Sequence, residues 1–137
     1  DSVKSRGLGD VYKRQDFPAD THNNANWIPI LNKYVAMTRD WVKVEGKEWG
    51  QRAVLRIESN DFIKWENPKL VLIGENYDLQ TYAMPYFFYE GVFLGLVAIH
   101  DQKSDRVWTE LAWSIDTIKW DRIDIGNPLI PNSEIGN

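Results

Sequence analysis

No cysteine occurs in the 137 residues, and only two histidines do. The first absence excludes disulfide staples and thiolate metal sites. The second leaves His22 and His100 too far apart in sequence to show any metal-ligand spacing, so no metal is expected. No apolar run approaches the roughly 20 residues of a membrane-spanning helix, and no membrane partner is expected. A glycine-rich phosphate loop is missing, as is a Gly-x-Ser-x-Gly elbow; neither nucleotide chemistry nor serine-nucleophile chemistry has a foothold, and no cofactor is expected. Positive charge is also scarce. Sixteen Lys and Arg stand against 20 Asp and Glu, for a net charge of −4. A body of that sign is a poor partner for nucleic acid, whose phosphates must be neutralised by Lys and Arg.

What is present is aromatic and apolar. Hydrophobic residues make up 43% of the chain, and its seven tryptophans need burial, which argues for a folded domain over disorder. Residues 1–15, "DSVKSRGLGDVYKRQ", read differently: they lack apolar periodicity and carry four basic against two acidic residues. They resemble the translated adapter sequence found at the ends of proteins predicted from metagenome assemblies, the alternative being a genuine basic arm. Setting them aside leaves a net −6 on residues 16–137.

From there the pattern is of strands. "NWIPI", "LNK" and "KYVAMTRDW" read as a hairpin with an Asn-containing turn. "RAVLRIES" alternates, with Ala53, Leu55 and Ile57 on one face and Arg56 and Glu58 on the other. "KLVLI" follows. The order then repeats: "YAMPYFFYE" and "VFLGLVAIH" join through the tight-turn pair Glu90-Gly91, "RVWTELAWS" comes next, and "KWDRI" closes the unit. Two octapeptides confirm the period. "SNDFIKWE" from Ser59 and "SIDTIKWD" from Ser114 share five of eight positions, 55 residues apart. Repeats of this length, each a four-stranded antiparallel meander, mark a β-propeller. The expected fold is all-β: a partial β-propeller of about two four-stranded antiparallel blades, residues 20–73 and 78–125, within 16–137. Two blades leave two flanks open, so the missing blades of a longer chain are expected partners.

The repeated octapeptide has a structural role on this reading. Ser59 and Asp61, like Ser114 and Asp116, are placed to bond turn amides, with Trp65 and Trp120 packing beneath. A brace made once per blade differs from an active site, which is made once per molecule.

The segments "DTHNNANWIPILNKYVAMTRDW", "RIESNDFIKWENPKLVL" and "TELAWSIDTIKWDRI" together resemble five-bladed propeller proteins related to glycoside hydrolases, of the invertase-like and arabinanase-like clans. The octapeptide is similar to the Asp-box hairpin of sialidases, with one residue fewer between Asp and Trp. The invertase hallmarks Asn-Asp-Pro and Glu-Cys are absent, and Arg-Asp-Pro appears only as Arg39-Asp40-Trp41. The resemblance implies action on carbohydrate at the rim where first strands begin. Asp20, Arg39, Asp40 and Asp78 are then the catalytic candidates, because glycoside hydrolysis needs a pair of carboxylates. His22, Asn23, Asn24, Tyr82 and His100 would contact substrate, and Trp41 or Tyr82 would stack on a sugar ring. Each has a plainer reading as well. Asp20 caps a turn with Asn23, Arg39 and Asp40 form a solvated pair, the histidines are rim polar residues, and Tyr82 packs within its blade. Glu90 falls at the far rim and is set aside. Two functions follow, a glycosidase or a carbohydrate-binding propeller without catalysis; the compartment has no signal in the sequence.

Overall fold

The computed structural model describes residues 22–134. It is all-β among those residues, in two antiparallel sheets. The first contains β1 (Asn24–Ile28), β2 (Lys33–Val42), β3 (Gln51–Ser59) and β4 (Glu66–Ile73), paired in chain order. The second contains β5 (Leu79–Ala83), β6 (Tyr86–Tyr89), β7 (Val92–Asp101), β8 (Arg106–Ser114) and β9 (Asp121–Ile123). Here β7 pairs with both β5 and β6 on one side and with β8 on the other.

The "YAMPYFFYE" segment, which reads as one strand, is therefore two. Met84 and Pro85 interrupt it, because proline has no N–H to give to the ladder. The register also shifts between Thr81 and Ala83, so Tyr82 is an extra residue on its strand. Met84 turns inward and is buried. The Glu90-Gly91 turn that joins β6 to β7 has φ of 47° and 86°, the paired positive values that suit a two-residue hairpin.

The sheets pack through one shared core. Ile28, Val35, Met37 and Val54 from the first meet Tyr86, Phe93, Val97, Ile99 and Trp120 from the second. A smaller cluster, Ala36, Leu55, Ile57 and Trp65, lies on the other face of the first sheet. Arg56 and Glu58 depart from the simple alternation, which would leave them in water. Both are buried, because their face of β3 is turned toward the second sheet. Arg56 Nε donates to Thr117 Oγ1 across the joint at 2.9 Å, and its Nη1 lies 2.9 Å from Glu58 Oε2. Glu58 Oε1 also accepts from Lys33 Nζ at 2.8 Å and Asn67 Nδ2 at 2.6 Å.

Both Asp-box-like hairpins form the expected brace. Ser59 Oγ accepts from the amides of Asp61 and Phe62, while Asp61 Oδ1 accepts from those of Ile63 and Lys64 at 2.9 and 2.8 Å. In the second sheet Ser114 and Asp116 repeat these bonds to the amides of Asp116, Thr117, Ile118 and Lys119. Trp65 and Trp120 are buried beneath, and Trp120 Nε1 donates to Thr117 O.

These carboxylates set an acid limit on stability. Amide donors from Lys64 and Ile63 hold Asp61 below its usual pKa. Burial would raise Glu58, but Lys33, Asn67 and Arg56 outweigh it and bring the group from 4.5 down to about 2. A group depressed on folding contributes stability above its unfolded pKa, and that contribution disappears as pH falls through the folded value. Urea midpoints measured from pH 5 to pH 2 are therefore expected to fall steadily. Glu58 accounts for on the order of 2–3 kcal/mol of that loss, so Glu58→Gln flattens the profile. A midpoint constant across this range would contradict the assignment.

Candidate functional site

One end of the molecule collects the starts of β1, β3 and β5 with the ends of β2 and β7. Trp41 and Arg52 are cross-strand partners there, and Arg39 shares their face two residues before Trp41. The Arg52 guanidinium lies 4.5 Å from the Trp41 ring centroid and 5.4 Å from that of Tyr82. The Arg39 guanidinium lies 4.9 Å from Tyr82 and 5.8 Å from Trp41. His22 and His100 complete the group, with ring centroids 5.0 and 6.3 Å from Tyr82. Tyr82 can reach residues of both sheets because the bulge in β5 frees it from the regular ladder.

The backbone beneath is held across the joint. Arg52 N donates to Gln80 Oε1, and Thr81 Oγ1 donates to Arg52 O, each at 2.7 Å. Gln51 Nε2 bridges to the carbonyls of Gly74 and Asn76 at 3.1 and 2.7 Å. Above this floor, Trp41, Trp49, Gly50, Arg52 and Gln102 line a cleft of about 390 Å³. Trp49 is 67% exposed and Trp41 38%, so both rings present apolar area to solvent. A half-open cleft with two indole rings, a guanidinium and an amide can stack a ring and hydrogen-bond its substituents.

The sequence candidates divide on this geometry. Arg39, Tyr82, His22 and His100 come together. Asp40 does not join them: alternation along β2 turns it to the opposite face from Arg39 and Trp41, where it pairs with Ala53. Burial raises its pKa, partly countered by the Trp41 amide 2.7 Å from Oδ1. Asp78 Oδ2 forms an ion pair with Lys103 Nζ at 2.9 Å. Asn23 Oδ1 accepts from Thr38 Oγ1, and Asn24 Oδ1 accepts from Tyr86 N at 3.2 Å, so both are engaged in holding the fold. His100 Nε2 lies 2.9 Å from Asp105 Oδ1, while its Nδ1 is buried without a hydrogen-bond partner. Asp20 lies outside the described residues. Glu90 sits in the β6–β7 turn, away from the cleft. Among the described residues, no three His, Asp or Glu side chains are placed to hold a metal ion.

Trp49, Arg52 and Thr81 were not among the sequence candidates, whereas Gln80 reads from the sequence as a rim residue of the second blade beside Asp78 and Tyr82. The Trp41–Arg52 pair becomes visible only once the β2–β3 register is known, and Trp49 lies in a connection without periodicity.

No protein-family model matches the chain, and no curated protein is similar to it in sequence. Solved structures do share its fold. A β-fructofuranosidase from Schwanniomyces occidentalis complexed with fructosyl-erythritol superposes with TM-score 0.65 at 12% identity, over 82% of this chain and 24% of that one. An exo-inulinase from Aspergillus awamori gives 0.60 at 17% identity, over 87% and 29%. An N-acetylgalactosamine deacetylase from F. plautii, in complex with blood group B trisaccharide, gives 0.57 at 14%, over 74% and 28%. The chain thus spans about a quarter of each of these proteins. At such identities the likeness is one of fold: two antiparallel sheets arranged as part of a β-propeller.

Proposed function

We propose that this chain is part of a carbohydrate-active β-propeller and that it binds sugar in the cleft between Trp41 and Trp49. The observation that carries this reading is the cleft itself. It has two accessible indole rings beside Arg52 and Gln102, at the end where Arg39, Tyr82 and the histidines also converge. Ring stacking supplies affinity for the apolar face of a sugar, and the polar groups select its hydroxyls. The likeness to sugar-processing propellers supports the same reading.

The reaction proposed for the longer protein is glycoside hydrolysis, with Asp20 and Arg39 at the axial site and a partner carboxylate beyond this chain. Asp40 and Asp78 are weaker members of that pair, one facing away from the cleft and the other bound to Lys103. That separation favours a second reading for the chain alone, sugar binding without turnover.

Calorimetric titration with fructose, inulin oligosaccharides and blood group B trisaccharide tests the binding. Trp49→Ala is expected to weaken it about tenfold or more, equal to about 1.4 kcal/mol, and to leave the melting temperature unchanged because the side chain is exposed. Tyr82→Ala is expected to weaken it as well. Absence of binding to every sugar, or binding indifferent to both substitutions, would reject the site. Hydrolysis is read separately, as reducing-sugar release by the longer protein and its loss in Asp20→Asn.

A further inference from the structure

Residues 43–50 cross from β2 to β3, and Trp49, near the end of this segment, lines the cleft. The segment is pinched at its base. Val42 and Gln51 pair across the strands, and Gly50 lies so close to Val42 that a Cβ there would come within 2.8 Å of the carbonyl oxygen. At its tip Lys47 N donates to Val44 O at 3.2 Å. That turn carries Gly46 third, with a φ of +75°, where a positive value suits glycine. All of these restraints lie within the first sheet, and none fixes how far the segment leans over the cleft. No hydrogen bond or ion pair among the described residues links it to the second sheet.

Lys47 makes that link through its charge. Its Nζ stands 4.8 Å from the centroid of the Tyr77 ring, in the connection between β4 and β5. Tyr77 is itself anchored. Its carbonyl accepts from Gln80 Nε2 at 2.5 Å and from Gln102 Nε2 at 2.8 Å. Beside it, Asn76 Oδ1 accepts from the amides of Asp78 and Leu79 at 3.0 and 3.3 Å. Gln102 also lines the cleft. The backbone of Tyr77 thus positions one cleft residue, while its ring meets the lysine two residues before another. We propose that Lys47 and Tyr77 are positioning residues, the ammonium on the phenol ring latching residues 43–50 to the second sheet and so ordering Trp49 as a wall of the cleft. The latch rests on the carbohydrate reading of that cleft and supplies its control. A sugar that meets an indole already in place loses less entropy on binding. A cation over an accessible aromatic ring shifts the balance between a docked and a loose segment about two- to fivefold.

Nitrogen-15 relaxation of the 137-residue chain tests the latch without any sugar. The amides of residues 45–50 and the Trp49 indole are expected to be ordered, with order parameters near about 0.85. Lys47→Met keeps the length of the side chain and removes its charge. It is expected to move these groups toward the flexible range below about 0.6. The melting temperature should not change, because Lys47 is exposed. Lys47→Arg restores the order. Tyr77→Leu loosens the same residues, and the double variant is no looser than either single one, as one shared contact requires. Whichever of the three sugars above binds the wild type should bind Lys47→Met about two- to fivefold more weakly. Unchanged order in Lys47→Met, or effects of the two substitutions that simply add, would overturn the proposal. So would full sugar affinity in a Lys47→Met chain whose segment has become mobile. If no sugar binds the wild type, the carbohydrate reading fails, and the relaxation data still decide the latch.

Discussion

Replacing Glu110 by alanine is expected to destabilise the chain by about 3–5 kcal/mol, the usual cost of leaving a buried charge without its partner. Glu110 lies mid-strand in β8 and is completely buried, on the face that packs against the first sheet. Its carboxylate serves four donors. Oε1 accepts from Trp108 Nε1 and Gly126 N, each at 2.9 Å, and Oε2 accepts from Arg122 Nε at 2.8 Å and from Arg122 Nη2. Arg122, only 7% exposed, extends its other nitrogen to Glu75 in the connection between the sheets. Removing the carboxylate would strand two N–H groups of the Arg122 guanidinium, an indole N–H and a backbone amide together, leaving Glu75 as the guanidinium's remaining partner. Glu110→Gln separates charge from shape. It keeps the volume and one oxygen, so its loss should be clearly smaller than that of alanine. Chemical denaturation of the three proteins provides the comparison, and equal stability of wild type and Glu110→Ala would refute the account.

Gly74→Ala is expected to be the most damaging change that adds a single carbon, at about 3 kcal/mol or more. Gly74 begins the connection from β4 to β5, where the chain passes from one sheet to the other. A Cβ built there overlaps the Leu79 carbonyl oxygen and comes within 2.9 Å of its carbon. Backbone of a neighbouring strand cannot swing aside as a flexible side chain does. The Gly74 and Asn76 carbonyls also accept from Gln51, so a shift at 74 pulls on the floor of the cleft. Thermal unfolding would show a large fall in midpoint, and sugar affinity should fall with it. Gly46→Ala is the control. Its Cβ would meet nothing, and its φ of +75° limits the cost to about 1 kcal/mol, mostly backbone strain. A Gly74→Ala protein as stable as the Gly46→Ala control would show that the crossing is looser than described.

Much of the architecture was legible because it rests on local rules applied twice. The 55-residue offset between Ser59 and Ser114 reports a repeat before any strand is assigned. The Ser-x-Asp hairpins formed as read, since their bonds span only two or three residues and need no distant partner. Strand β7 displays its alternation directly in its burial. The misread strand, β5 with β6, failed at Pro85, a residue whose effect depends on which neighbour would have received its missing hydrogen bond.

The cleft was less legible. Arg39 and Asp40 are adjacent in the chain, and both were candidates, yet the pleat of β2 sends them to opposite faces. Asn23 and Asn24 carry the right chemistry for a sugar, but Thr38 and Tyr86 occupy them. Arg52 and Trp49 enter the site through register and loop path, neither of which is written in residue type.

The sequence by itself determined the strand order of the first sheet, the repeat, the braced hairpins and the class of residues available at each end. These follow from period-two patterning and short-range hydrogen bonds, which depend on near neighbours alone. Only the tertiary structure decided that Arg56, Glu58 and Glu110 are interior charges and that Tyr82 joins two sheets. Those outcomes depend on how one sheet lies against another, and alternation along a strand names two faces without saying which of them will meet a neighbour.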